Sequence, residues 1–423
     1  MRFIHAADIH LDSPLRGLER YEGAPVSQIR LATRAALDNL VRLAIAEHVD
    51  FVLIAGDVYD GDWKDYNTGL FFSARMSRLR ECGIPVFLIS GNHDAESQIS
   101  KSITLPDNVK KFSDKKAETI ILEKFGVAIH GQSFGRRDVT ENLCAAYPFG
   151  EKSLFNIGML HTCADGRAGH EKYAPCRIDD MRSREYQYWA LGHVHNREII
   201  SAGDPYILFP GNIQGRNVRE TGAKGCSIVT VEHQKAVSVE ALELDTLRWA
   251  VADVNATGTQ TVSDIIEKVR EQVRVAKSDG GGRTLAMRIE IRGSCHAHRL
   301  LMADSEQAVN DIRAAVTDES SGDVWAEKVK FMTDARTDYE DYLSQNTPLA
   351  ELIKSIGDYS ASDELAALLR EDFKDLQVKL PRELKEEGDK LDLSDLEKCR
   401  ELIDEAKALL IPRLLWPGGA PNK

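Results

Sequence analysis

The sequence predicts an α/β fold of many short buried strands with helices between them. Two observations carry this. Five short apolar runs, rich in β-branched and aromatic residues, have the length and composition of buried strands, and each leads into residue types that bind metal ions. Between the first runs lie stretches whose apolar residues recur with the period of an amphipathic helix. Open α/β sheets bind ligands beyond the carboxyl ends of their strands. The five runs would therefore collect their metal-binding residues on one rim.

The elements follow in chain order. Residues 2–7 run into Asp8-Ile9-His10. Residues 28–48 form a helix, with Ile29, Ala32, Ala36, Leu37, Leu40, Val41, Ala44 and Ile45 on its apolar face. Residues 51–56 run into Asp57. A second helix over 66–82 stops before Ile84-Pro85, since the residue ahead of proline avoids helical geometry. Residues 86–91 run into Asn92-His93-Asp94, residues 155–160 into His161, and residues 188–192 into His193-Val194-His195. Further strands are expected at 127–134, 206–210, 226–232 and 236–243.

A second domain is expected over 245–340 as a βαβαβ unit. Its strands are 249–254, 285–291 and 325–332, its helices 262–273 and 305–317, with a flexible turn over Ser278 to Arg283. Residues 341–423 are expected to be helical. One apolar stripe there runs through Leu365, Leu368, Leu369, Phe373 and Leu376. A second runs through Leu396, Cys399, Leu402, Ile403, Ala406, Leu409 and Leu410, behind a capping box at Ser394 to Glu397.

The chemistry of the rim is specific. Asp8, His10, Asp57, Asn92, His161, His193 and His195 offer oxygen and nitrogen donors without a thiolate. Such a set suits manganese, iron or zinc. It holds too many ligands for one tetrahedral ion and suits two ions sharing a carboxylate. Paired ions about 3.5–4 Å apart serve in-line attack at phosphorus. Gly56, Gly91 and Gly192 stand where a strand must turn sharply and let an ion approach the backbone.

Asp8-x-His10, Gly56-Asp57-Val58-Tyr59-Asp60, Gly91-Asn92-His93-Asp94, His161 and Gly192-His193-x-His195, in this order, resemble the signature of calcineurin-like metallophosphoesterases over residues 1 to about 235. The resemblance implies a four-layer fold of two packed mixed sheets flanked by helices, over residues 1–244, followed by a capping domain (245–340) and a C-terminal helical region (341–423). It implies that Asp8, His10, Asp57 and His195 hold one divalent ion, and that Asp57, Asn92, His161 and His193 hold the other. The ions would be Mn2+, or else iron or zinc. Without an ion in this scheme, His93 would face substrate and protonate the leaving oxygen, oriented by Asp60. An ion-activated water would be the nucleophile.

Pro210-Gly211-Asn212, the loop Gly169 to Cys176 and Gly215-Arg216-Asn217-Val218-Arg219-Glu220 further resemble the YhaO branch of DNA-repair exonucleases, which is similar to the SbcD nuclease subunit. That implies DNA as substrate, an SbcC-like coiled-coil ATPase bound by the C-terminal helices, and a homodimer. Leu70, Phe71, Phe72, Met76 and Leu79 make the 66–82 helix the expected dimer surface.

The net charge of −13 is unlike that of most DNA binders. Arg136, Arg137, Arg167, Lys172, Arg177, Arg182, Arg184, Arg197, Arg216 and Arg219 nevertheless fall near the later metal motifs and would line a phosphate approach. The acidic balance favours the alternative, a phosphodiesterase for small nucleotides or nucleotide sugars. A non-enzymatic scaffold is disfavoured by the intact ligand set together with His93 and Asp60. Seven cysteines without a CxxC pair exclude a disulfide framework. No run is long enough to span a membrane, and a first strand at Arg2 leaves no room for a leader, so a cytoplasmic location is expected. His170 lies beside the site with no role assigned, and Tyr173 is a candidate substrate contact.

Overall fold

The structure is a computed structural model. It describes residues 1–13, 26–60, 65–97, 103–164, 173–335, 347–360, 363–379 and 395–415. The chain divides into two compact units, one of residues 1–250 with 283–286, the other of residues 251–282 with 287–423.

The first unit holds two six-stranded sheets. One places β1 (Arg2–Ala6), β2 (Phe51–Ala55), β3 (Val86–Ile89) and β4 (Val109–Lys111) in parallel, with β11 (Gly225–Glu232) and β12 (Lys235–Glu243) added antiparallel beside β1. The other runs β5 (Glu118–Leu122), β6 (Val127–Gly131), β7 (Phe155–His161), β8 (Tyr188–Gly192), β10 (Tyr206–Phe209) and β9 (Glu198–Ala202). Its centre is parallel and its two edge pairs are antiparallel.

Strand periodicity explains the layering, since successive side chains alternate between faces. Phe51, Leu53 and Ala55 meet Phe3, Phe87, Phe155, Ile157 and Met159 in the core between the sheets. Their neighbours Val52 and Ile54 turn the other way, onto Leu37, Leu40 and Val41 of α1 (Val26–Ala46) and Phe72 and Met76 of α2 (Tyr66–Glu81). On the outer face of the second sheet Trp189, Leu191, Ile207 and Phe209 pack on Tyr147, Tyr186 and Met181, the last from α4 (Ile178–Arg182). α3 (Asn92–Glu96) follows β3. The result is the four-layer metallophosphoesterase fold.

The second unit contains α5 (Val262–Asp279), α6 (His298–Ala303) and α7 (Ser305–Ser320), with the sheet order β13 (Leu247–Asn255), β14 (Thr284–Cys295), β15 (Val324–Ala335). The expected helix 262–273 continues to Asp279, so only residues 280–283 remain of the expected turn. Burial of Val273 and the Lys277 amine on the Ser320 carbonyl hold the extra turns. β4, β5 and β9 were not foreseen, because these edge strands are partly exposed and lack the continuous apolar run.

Beyond lie α8 (Pro348–Ser360), α9 (Asp363–Asp372), α10 (Lys374–Lys379) and α11 (Leu396–Leu415). Their expected stripes divide. Leu365, Leu369 and Leu396 pack with Ala366, Cys399 and Ile403 in a cluster of their own. Leu368, Leu376 and Leu410 face outward. No helix among the described residues is long and apolar enough to cross a membrane.

Candidate metal centre

The site is built where the carboxyl ends of strands from both sheets converge. The single rim expected draws on both sheets: β1, β2 and β3 deliver Asp8, His10, Asp57, Asn92 and His93, while β7 and β8 deliver His161, His193 and His195. Pairing continues past the strand ends, as Asp8 N–H donates to Gly56 O at 3.0 Å and His10 N–H to Asp57 O at 3.0 Å. This locks the two loops together. Asp8, His10, Asp57 and His193 all have positive φ, which costs non-glycine residues energy and is tolerated where surrounding structure dictates it.

Among the described residues, donor atoms converge in three sets, each within 4.8 Å: Asp8, His10 and His195; Asp8, Asp57 and His161; and His10, Asp60 and His93. The tautomers can be worked out from the partners. His161 Nδ1 must donate to the Ala55 carbonyl at 3.0 Å, because a carbonyl only accepts. Its Nε2 lone pair then faces Asn92 Oδ1 at 3.0 Å and Asp57 Oδ2 at 3.3 Å. A positive charge at Nε2 would satisfy these acceptors. Burial alone would lower the His161 pKa, but the Asp57 charge overrides this and raises it to about 9. A proton on Nε2 supplies such a charge, and a divalent ion would displace it.

His10 and His195 make the same case. Nδ1 of His10 donates to Asp60 Oδ1 at 2.6 Å and Nδ1 of His195 to Glu220 Oε1 at 2.7 Å. Both Nε2 lone pairs therefore point into the centre, 3.2 Å apart. Burial, followed by the Arg216 charge, lowers the His10 pKa to about 4 and keeps it neutral. A divalent ion between them would accept a lone pair from each, and this set of oxygen and nitrogen donors fits one. Asp57 lies between the two positions, with Oδ2 3.9 Å from His10 Nε2 and 3.3 Å from His161 Nε2. Its Oδ1 accepts from His93 N–H at 3.0 Å. Asp8 accepts the His193 N–H at 3.0 Å. The His193 ring stands outside the three sets, edge-on to His161 at 5.2 Å and to Tyr173 at 5.6 Å.

Comparison with known proteins matches this geometry. Residues 1–197 fit the calcineurin-like phosphoesterase family model, and residues 249–334 fit the middle domain of metallophosphoesterase YhaO. The uncharacterized metallophosphoesterase YhaO of Bacillus subtilis (strain 168) is 33% identical over 343 residues, covering 80% of this chain and 82% of its own length. The chain belongs to the YhaO family of metallophosphoesterases. The DNA double-strand break repair protein Mre11 of Sulfurisphaera tokodaii is 24% identical, over 64% of this chain and 69% of its own. Mre11 of Sulfolobus acidocaldarius is 23% identical, over 84% of this chain and 91% of its own. Calcineurin-like phosphoesterases use a dinuclear metal centre, and this chain carries the candidate ligand groups for one.

Several residues of this site stand differently from expectation. Asp60 serves two imidazoles, His10 at 2.6 Å and His93 Nδ1 at 3.3 Å, and its tighter partner is His10. Burial would raise the Asp60 pKa, but His10, Arg216 and His93 hold it well below the carboxylate range. The glycines make room for ligand side chains. A Cβ on Gly91 would sit 2.3 Å from Asp57 Oδ1, and one on Gly192 1.9 Å from Ala55 O.

Much of the expected basic lining is engaged internally. Arg216 is buried on Glu220, Arg137 donates to Tyr173 Oη, Arg136 pairs with Glu141, and Arg182 pairs with Asp179. Tyr173 is itself buried. Arg167, His170 and Lys172 lie outside the described residues. Glu220 was missed as a functional residue. Its motif was visible in the sequence, but nothing in a loop 25 residues after His195 indicates that it returns to that ring.

Proposed function

We propose that this metallophosphoesterase is a Mn2+-dependent DNA exo- or endonuclease acting in DNA repair, working as a homodimer with an SbcC-like coiled-coil ATPase. In this reading Asp8, His10, Asp57 and His195 hold one ion and Asp57, Asn92, His161 and His193 the other. When bound, the ions would acidify a water and draw charge from the phosphate oxygens. His93 is the proton donor to the leaving oxygen. Its side chain is 36% exposed at the edge of an otherwise buried cluster, and Asp60 holds its Nδ1. That combination of access and orientation is what a general acid needs.

The observation that supports DNA over a small ester is the similarity to a DNA double-strand break repair protein across 84% of the chain, well beyond the metal-bearing domain. The outward leucines Leu368, Leu376 and Leu410 are the proposed ATPase contact. The test offers the purified protein, with Mn2+, linear duplex DNA, single-stranded DNA and bis(p-nitrophenyl) phosphate. Digestion of either DNA supports the nuclease. Turnover of the small ester alone would overturn it.

A further inference from the structure

We propose that Glu220 and Arg216 are positioning residues for the ion held by His10 and His195. They complete a charge-linked ring that fixes both imidazoles before the ion arrives. The inference rests on the two-ion reading above.

The ring closes through measured contacts. Glu220 Oε1 holds His195 Nδ1 at 2.7 Å and accepts from Arg216 Nη2 at 3.1 Å. Arg216 Nη1 lies 3.7 Å from Asp60 Oδ1, which holds His10 Nδ1 at 2.6 Å. The 3.2 Å gap between the two Nε2 atoms closes the circuit. The second Glu220 oxygen accepts from Asn212 Nδ2 and from the Arg216 N–H, both at 2.8 Å, so the carboxylate cannot swing away. The side chains of Arg216, Asp60 and Glu220 are 18%, 12% and 9% exposed.

Charge explains why the guanidinium is there. Asp60 and Glu220 are anions brought into one buried corner, and they would repel. A fork of fixed geometry between them neutralises both without competing for the Nε2 atoms, since it reaches the far side of the ring. Arg216 Nη2 is also 3.2 Å from His195 Nδ1. That nitrogen carries a hydrogen, because Glu220 can only accept from it, so the guanidinium is a neighbour there and the carboxylate is the partner. Carboxylates behind histidine ligands fix tautomer and ring direction, and losing one typically costs about 10–100-fold in metal affinity. Glu220 aims the His195 ring so that its Nε2 faces the His10 Nε2 at 3.2 Å, where an ion would sit.

The test measures Mn2+ binding to the full chain by titration calorimetry, with electron paramagnetic resonance to distinguish coupled from isolated ions. Wild type, Glu220→Gln, Glu220→Ala and Arg216→Lys are compared, and each variant's melting is followed in EDTA. The expected result is two ions with a coupled spectrum in wild type. In Glu220→Ala, one ion weakens by about 10–100-fold and the other keeps its affinity, leaving the spectrum of an isolated Mn2+ at sub-saturating metal. Glu220→Gln, which keeps an acceptor and the side-chain volume, should fall between, and it decides the matter if the alanine variant does not fold. Both ions at wild-type affinity in the folded Gln and Lys variants would overturn the proposal. So would equal weakening of both ions, which would make the pair a general structural element. A wild-type chain that binds no pair of ions would instead overturn the two-ion reading itself.

Discussion

His10 and His195 meet Nε2 to Nε2 at 3.2 Å although 185 residues separate them. A carboxylate accepts from the outer nitrogen of each, and this turns both Nε2 atoms toward the centre. A divalent ion set between them would take a lone pair from each. The most informative mutations separate holding such an ion from using it.

Asp57→Asn and His93→Gln should part company on this point. Asp57 lies between the two positions, so its amide should lose most bound metal and all turnover. His93→Gln should retain both ions and lose about 10²–10⁴-fold in turnover, the usual worth of positioned proton transfer. Elemental analysis of the two purified variants reads the difference. Equal metal loss in both would make His93 a ligand.

Gly91→Ala should damage the site through space alone. Its methyl would press on Asp57 Oδ1 and on His161 Cε1, 2.7 Å away. Overpacking of this kind costs about 1–3 kcal/mol. Gly192→Ala, whose methyl would meet the Ala55 carbonyl and so rigid backbone, should cost at least as much. Urea unfolding measures both, and wild-type stability in either would show that the rim can give way.

His5 gives a pH dependence away from the donor set. Its Nε2 donates to Leu191 O at 3.0 Å and its Nδ1 accepts from Tyr188 at 2.9 Å. Burial lowers its pKa to about 3, against a smaller raising effect of that carbonyl and with a small further lowering by Arg197. The unfolded chain then binds the proton first. The stability from this group is fully present above pH 6.5 and is lost as pH falls from 6.5 towards 3. His5→Gln should remove about 1.4 kcal/mol of acid sensitivity per pH unit in that window. Urea titrations in EDTA at pH 7.5 and 5.5, chosen as roughly one unit either side of the histidine range, would read the two slopes. Equal slopes would mean His5 is protonated in the fold.

The dimer surface expected along α2 is narrower than its composition suggests. Phe72, Met76 and Leu79 are buried, and Phe71 lies between the Arg34 and Arg75 guanidiniums, whose carbons sit 4.8 and 3.8 Å from the ring centre. Leu70 alone of the five is exposed, at 60%, with Tyr66 of α2 and Leu31 of α1 also exposed. If this face pairs two chains, Leu70→Glu should shift sedimentation to the monomer without changing small-ester turnover. A dimer that survives the charge would place its interface elsewhere.

The C-terminal helices allow a cleaner partner test than truncation, because part of their apolar surface forms its own cluster around Cys399. Leu368→Glu with Leu410→Glu should abolish co-purification with an SbcC-like ATPase and leave melting within a few degrees of wild type. Unchanged co-purification would remove these leucines from the contact.

The sequence by itself determined the fold class and the residue types of the centre. Buried strands need continuous apolar runs, and each run led directly into its Asp, Asn or His, so strand and donor were legible together as one local signal. Three edge strands, β4, β5 and β9, were not legible, because they are short and partly exposed and leave no continuous apolar pattern. Only the tertiary structure decided that the rim belongs to two sheets, that Asp60 serves His10 more closely than His93, and that Glu220 and Arg216 belong to the centre. These are contacts between side chains far apart along the chain. Their partners are set by how two sheets pack and where a loop returns, and neither leaves a periodic trace in the sequence.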